Sequence, residues 1–447
     1  MSETIIPELQ IELDVNQFLA LGATRLDASF VVTPQGFGAL SAVSVPRFVA
    51  IVGDRSGSMG GGKIAAAKKA AFKVVDMLSS EEYFAVIFFS DGATTIYPMQ
   101  QRTGAPAAVR ATAANKEAAK HQIMAIEAHG GTRISRGLHN AYQEFLKVPD
   151  AEGTCILLTD GQNNEDDGQA LDQTLAEIAE GRKQGRVMKV QSRGVGTDWQ
   201  VDQLRQIADM TLGDPPVVVA DAGKLEEDFT RCLQAAQSNA LSNVRVKIWL
   251  PQMVKLIECK QIAPSIVDLK NSITQDADGL THILQTGGWN NEPREFYVAF
   301  ALVPQAAGKR VCAGRVCLAY TFGGRELAAP AQPLMILAEW TEDKGKSTRI
   351  PLGVARATGS VELATAIQEG VKAYEAGQHE VATAKLGRAV QLAVQTGNEE
   401  MTVRLQGLVD IVDPHQGTVR LKKNVDKVTT MDLDAGSTKR VIKKPSA

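Results

Sequence analysis

Hydrophobic and polar positions change period several times along the 447-residue chain, and each change marks a candidate boundary. Residues 1–45 alternate weakly. Ile11, Leu13 and Val15 share one face of an extended segment, and Phe30-Val31-Val32 form a second apolar run. Gly22, Pro34, Gly36 and Gly38 punctuate them, which predicts two or three strands unable to bury a core alone. Residues 46–235 follow another rule. Near-continuous apolar runs at 48–52, 84–89, 155–158 and 216–219 predict strands buried on both faces, as in a mostly parallel sheet. Between the first two runs, Ile64, Ala67, Ala71, Val74, Val75 and Leu78 make the apolar stripe of a helix. Its outer face is expected to carry Lys63, Lys68, Lys69 and Lys73. Further helices are predicted over 115–128, 134–147, 169–184 and 199–209. Strand–helix alternation at this pace predicts a doubly wound, mostly parallel, Rossmann-like α/β domain.

Residues 240–345 return to period two: Val244, Val246, Ile248 and Leu250, then Phe296, Val298, Phe300 and Leu302, then Val316, Leu318 and Tyr320. Asp278-Gly279, Gly287-Gly288 and Gly323-Gly324 supply turns between them. These alternating strands predict an antiparallel β-sandwich. The strands of residues 1–45 are expected to join it, with the α/β domain inserted. Residues 355–412, rich in Ala, Glu, Gln and Leu and broken near Gly377 and Gly397, predict a C-terminal helical hairpin or small bundle. Residues 413–447 show no core pattern and are expected to form a basic flexible tail. From Arg420 onward, eight basic residues oppose three aspartates, for a net +5.

Composition narrows the function. Lys+Arg 48 against Asp+Glu 51 leaves a net charge of −3, so the whole chain is neither a nucleic-acid binder by charge nor an acidic solvating chain. Hydrophobic residues at 44% exclude wholesale disorder, and no apolar run is long enough for a membrane span. The opening Met-Ser-Glu-Thr lacks a charged-then-apolar leader, so a cytoplasmic location is expected. Cys155, Cys232, Cys259, Cys312 and Cys317 are an odd, sparse set, expected to be buried thiols rather than a disulfide framework. The Cys312–Cys317 spacing does not suit zinc.

The polar chemistry gathers where strands are expected to end, which is where open α/β sheets bind ligands. The run Gly53-Asp54-Arg55-Ser56-Gly57-Ser58 follows the first strand of the domain. Gly130-Gly131-Thr132 precedes a helix, and Thr159-Asp160-Gly161 follows the 155–158 run. Asp54, Asp160, Ser56, Ser58 and Thr132 all offer oxygen, which selects Mg2+, Mn2+ or Ca2+ over zinc or copper. Two carboxylates balance a divalent charge, and a six-coordinate ion keeps a position for an incoming group. Each hydroxyl could instead be a helix N-cap. Arg55, beside Asp54, is expected to point away from the site.

These three segments, in this order, resemble the metal-ion-dependent adhesion site of the von Willebrand factor type A domain. Arg193-Gly194-Val195-Gly196, followed by Leu204, Ile207 and Ala208, is similar to that family's later strand and helix. The resemblance implies that Ser56, Ser58 and Thr132 give neutral oxygens to the metal, with Asp54 and Asp160 binding directly or through water. The ion then keeps positive character for an Asp or Glu of a protein partner. Asp54→Ala is expected to abolish such binding and leave the fold intact. The order of segments resembles bacterial cytoplasmic members of that class linked to Ser/Thr kinase signalling. The expected function is therefore a non-enzymatic, Mg2+-dependent interaction or scaffold protein. Alternatives are an accessory subunit of an AAA-type ATPase, a surface adhesin and a metal-dependent phosphoester hydrolase.

An enzyme fits less well. An aspartyl-nucleophile phosphatase would want a second Asp where Ser56 stands. His129 and His139 show no sign of a triad with a serine. Gly60-Gly61-Gly62-Lys63 is followed by Ile64 rather than Ser or Thr, so it is not a phosphate loop. In the tail, Thr429, Thr430 and Thr438 are candidate phosphoacceptors for a Ser/Thr kinase. A phosphate there would recruit an Arg-lined reader such as a forkhead-associated domain. The tail has no aromatic residue to stack on bases, so specific nucleic-acid binding is not expected.

Overall fold

The computed structural model describes residues 8–35, 46–98 and 109–442. It divides into two compact units: Ser44–Asn239, and Met1–Val43 with Ala240–Ala447. In the first unit the sheet order is Val217–Val219, Met188–Val195, Glu152–Thr159, Arg47–Asp54, Tyr83–Phe89 and Ala93–Tyr97. All these pairings are parallel except the last, which is antiparallel. Phe84, Val86 and Phe88 point to one face, with Val49 and Ile51 beside them. There they meet Ala67, Ala71 and Val74 of the helix Gly62–Met77 and Phe229 and Leu233 of the helix Leu225–Gln237. The helix Ile134–Leu146 lies on the opposite face. A Cβ at Gly137 would stand 2.7 Å from the Phe89 ring and 2.9 Å from Val52, so only glycine lets that helix approach so closely. Helices on both faces make the sheet doubly wound, as its apolar runs predict.

Among the described residues, the other unit holds two large sheets and a two-stranded hairpin. One runs Glu8–Val15, Arg25–Gln35, Arg294–Ala301, Lys255–Ala263 and Val267–Asp268. The second runs Ile273–Gln275, Thr281–Trp289, Leu241–Trp249, Arg310–Phe322, Arg325–Thr341 and Phe18–Ala20. Pairings are antiparallel apart from Phe18–Ala20, which adds in parallel to Arg325–Thr341. The segment before the α/β unit thus contributes strands to both sheets. Trp289 of one sheet stacks on Phe296 of the other at 6.3 Å, and Phe296 on Phe30 at 5.2 Å, all fully buried.

Beyond the sheets, the helices Leu352–Glu375, His379–Gln395 and Glu399–Leu405 pack through Ile367, Leu386, Val390 and Leu405. The flexible tail expected over 413–447 is corrected here. Val409–Asp413 and Thr418–Leu421 form a hairpin, and Lys427–Gly436 is a helix capped by the Asp426 carboxylate on the Thr429 N–H at 2.8 Å. Leu433 joins the helical core and Met431 is buried. The apolar positions are real, but the helix is too short for them to stand out among its Lys and Asp neighbours. Past it, Thr438 O accepts from Ile266 N and Pro264 O from Arg440 N, both at 2.9 Å, and the Arg440 guanidinium reaches buried Glu295 at 3.2 Å. Lys439 pairs with Glu400 at 3.3 Å. Lys443 and Lys444 lie outside the described residues.

Candidate functional site

Parallel register sets Gly53 of Arg47–Asp54 beside Leu158 of Glu152–Thr159. From these two strands the chain departs in opposite directions across the sheet, so Asp54 and Asp160 flank a switch point. Both are fully buried, at 0% exposure. Asp54 accepts the Ser56 N–H at 2.7 Å and the Thr159 hydroxyl at 2.7 Å. Asp160 accepts the Ser58 hydroxyl at 2.7 Å on one oxygen and the Lys63 ammonium at 2.5 Å on the other. Ser56 Oγ and Ser58 Oγ are 3.0 Å apart. Thr132 enters beside Gly161: a Cβ there would lie 3.5 Å from Thr132 Oγ1 and 3.6 Å from Ser58 Oγ. Asp54, Ser56, Ser58, Thr132 and Asp160 are thus brought together.

A surrounding layer holds the loops. Gly131 N donates to Asp91 at 3.0 Å and Thr132 N to the Asn164 side chain at 3.1 Å, while Gly57 N donates to Gly130 O at 2.9 Å. The helix Ile134–Leu146 begins without a side-chain cap of its own. Instead, Asn163 accepts Ile134 N at 2.9 Å and Asp167 accepts Ser135 N at 3.0 Å, both from the loop after Asp160. The helix Gly62–Met77 starts at Gly61, also without a side-chain cap. The hydroxyls of Ser56, Ser58 and Thr132 are therefore not spent on capping, which removes the N-cap explanation for them. Arg55 turns aside: its guanidinium lies 3.5 Å from Thr94 Oγ1.

Burial pushes the Asp54 carboxyl above the usual carboxylate range, Asp160 adds to that, and the hydrogen bonds from Ser56 and Thr159 oppose it. Two buried carboxylates side by side call for positive charge. The donor set suits a hard cation: every group is an oxygen. The 3.0 Å between the two serine oxygens matches neighbouring ligands of an octahedral Mg2+, about 3 Å apart when each bond is about 2.1 Å.

Other expectations separate from the site. Thr430 and Thr438 are buried at 3% and 7%, and the Thr430 hydroxyl bonds Glu375 and Lys427 O. Thr429 is half-buried with its hydroxyl on Asp426. These residues belong to a folded helical segment and its C-terminal exit rather than to the flexible tail expected to carry phosphoacceptors. Cys155, Cys232 and Cys259 are buried free thiols, while Cys312 and Cys317 are half-buried. Asp91, Asn163, Asn164 and Asp167 do not stand out in the sequence, and Lys63 turns to Asp160 instead of the outer face expected for it. Their signal was weak: Asp91 lies about forty positions before Thr132, and Lys63 falls in register with lysines that do face outward.

Residues 49–231 match the von Willebrand factor type A domain, and residues 391–437 match a von Willebrand factor type A C-terminal domain. A von Willebrand factor type A protein of Catenulispora acidiphila is 33% identical over 99% of both chains, with a TM-score of 0.86. The chain belongs to the von Willebrand factor type A family. The ArnB paralog VWA2 of Sulfolobus acidocaldarius, 15% identical over 97% of this chain and 98% of its own, shares the fold at a TM-score of 0.58. An uncharacterized protein of Synechocystis sp. is 28% identical over 50% of each chain. Bovine inter-alpha-trypsin inhibitor heavy chain H4 is 34% identical over 34% of this chain and 16% of its own. The chain thus spans about half the length of the cyanobacterial relative and far less of the bovine one. Among the described residues, no helix is long and apolar enough to cross a membrane.

Proposed function

We propose that this protein is a non-enzymatic, cation-dependent interaction protein, binding Mg2+, with Mn2+ or Ca2+ as substitutes, at Asp54, Ser56, Ser58, Thr132 and Asp160. The observation that carries this reading is the convergence of three hydroxyls, free of capping duty, on two fully buried carboxylates at a sheet switch point. A bound divalent cation supplies an open, positively charged position for an Asp or Glu of a protein partner. The chain's own groups set the charge: Asp54 and Asp160 balance the ion, and the neutral hydroxyls leave it unsaturated. The surrounding hydrogen bonds hold the three loops in place before the ion arrives. Support for a non-catalytic role comes from the histidines: His139 pairs with Glu177 at 3.4 Å, and His129 is exposed and joined to the site loop through its backbone N–H. A cytoplasmic setting is part of this proposal.

Ser58 gives a direct test: its hydroxyl is a proposed ligand, and its loss also removes one hydrogen bond, of 2.7 Å, to the buried Asp160 carboxylate. Ser58→Ala is expected to weaken Mg2+ or Mn2+ binding about tenfold or more, read by calorimetry, with a modest fall of the melting temperature in EDTA and a folded protein throughout. Partners captured by wild-type protein in Mg2+ should elute in EDTA and be absent from the Ser58→Ala capture. Equal capture with and without chelator would sink the proposal. The full burial of Asp54 makes Asp54→Asn a better probe than Asp54→Ala, since it keeps the shape of the side chain.

A further inference from the structure

Lys63 is the second residue of the helix Gly62–Met77. A cation in the first turn faces the positive end of the helix dipole, so the position is unfavourable unless a partner compensates. The compensation is visible. The Lys63 stem reaches inward, and Nζ lies 2.5 Å from Asp160 Oδ2. The Lys63 side chain keeps 34% exposure while the Asp160 side chain has none, so the ammonium closes the solvent side of a buried carboxylate. The other lysines of this helix do different work: Lys69 pairs with Glu226 at 2.8 Å, and Lys68 donates to Met124 O at 3.0 Å. Arg55, the other cation in the loop, is turned towards Thr94. Asp160 Oδ1 is taken by Ser58. Oδ2 is therefore held by a tethered cation of this chain.

We propose that Lys63 is the resident counter-ion of the site and competes with the divalent cation for Asp160. This inference rests on the metal-site reading above and specifies its regulation. Without Lys63 the two carboxylates would carry −2 into a buried space; with it the three groups carry −1. Because Lys63 holds Asp160 Oδ2, it would raise the free cation concentration needed to load the site. With an ion bound, two carboxylates, one divalent charge and Lys63 would sum to +1. That charge favours an anionic side chain on the partner and disfavours a neutral or cationic one. Lys63 thus acts on binding through Asp160 and is a positioning residue rather than a ligand.

The test uses the full chain and the metal alone. Mg2+ and Mn2+ are titrated into wild type, Lys63→Gln and Lys63→Arg by calorimetry, and each protein is melted in EDTA and in excess Mg2+. Lys63→Gln is expected to bind about tenfold tighter than wild type, because the competitor is gone. Its melting temperature should fall in EDTA and recover with Mg2+. Lys63→Arg keeps the charge and should stay close to wild type in both readings. Lys63→Met, which keeps the apolar stem, carries the same expectation as Lys63→Gln. Unchanged or weaker cation affinity in Lys63→Gln, or equal tightening in Lys63→Arg, would overturn the competition while leaving the metal site standing. If neither wild type nor the folded Lys63→Gln protein binds either ion, the metal-site reading itself fails and the inference falls with it.

Discussion

Asp91 shows how much of this site depends on residues that touch no predicted ligand position. Its carboxylate accepts the Gly131 N–H at 3.0 Å and so fixes the turn that delivers Thr132. The glycine pair exists for this contact. A Cβ at Gly130 would fall 2.6 Å from Asp91, and one at Gly131 would fall 2.7 Å from it and 2.9 Å from Asn164. Gly130 also has φ of +79°, which L side chains adopt at a cost. Asp91→Ala is therefore expected to weaken Mg2+ affinity about 10- to 100-fold, as loss of an orienting partner usually does. Its melting temperature should barely move, because Asp91 is exposed. An unchanged Mg2+ isotherm would show that Thr132 is held without it. The candidate ligands themselves were legible because strand ends concentrate polar residues between apolar runs. Asp91 and Lys63 were not, because their roles depend on where two loops meet in space. Thr430 and Thr438 misled for the converse reason: a hydroxyl in a polar stretch reads as exposed until packing covers it.

Elements followed the apolar period where burial is apolar and escaped it where burial is polar. The helices at Ala113–Met124, Ile134–Leu146, Gly168–Lys183 and Val201–Thr211 sit near their predicted spans. The strand Met188–Val195 stood out only through the family likeness of its last residues. It carries Lys189, Gln191, Ser192 and Arg193, and buried Arg193 is tolerated because Asp228 of the helix Leu225–Gln237 lies 2.6 Å away. Asp209 in Val201–Thr211 shows the opposite balance. Burial pushes its carboxyl up to about 6, with Arg205 only partly opposing this. An unfolded aspartate titrates near 3.9, so between about pH 4 and pH 6 the folded chain holds more protons than the unfolded one. Stability contributed by this group is therefore lost as pH rises through that window. Asp209→Asn removes the penalty and is expected to raise stability at pH 7.5 by on the order of 2 kcal/mol, with no gain at pH 4. Paired calorimetric scans at the two pH values check it; an equal gain at both would assign the effect to packing instead of charge.

At the scale of the whole molecule, the chain interrupts one unit to build another and then returns. Arg25–Gln35, before the α/β unit, pairs with Arg294–Ala301, long after it, in register from Arg25↔Ala301 to Val32↔Arg294. The alternating patterns on either side made this pairing readable in outline, but the closing helix was hidden by its charge. An insertion of this kind needs its entry and exit close together. The Arg47 guanidinium donates to Asn239 O at 2.9 Å, so the two ends of the α/β unit are tied to each other. Its core is also self-contained: the cluster from Val49 to Leu233 draws on this unit alone. The proposed ligands and Lys63 lie within the same span. Residues 46–239 produced alone should therefore fold cooperatively and bind Mg2+ with an affinity within about threefold of the full chain, a difference under 1 kcal/mol. Calorimetric titration of both proteins makes the comparison. A folded fragment that lost the ion would mean that the other unit shapes the site, and the loops around Asp54 and Asp160 would no longer suffice to explain it.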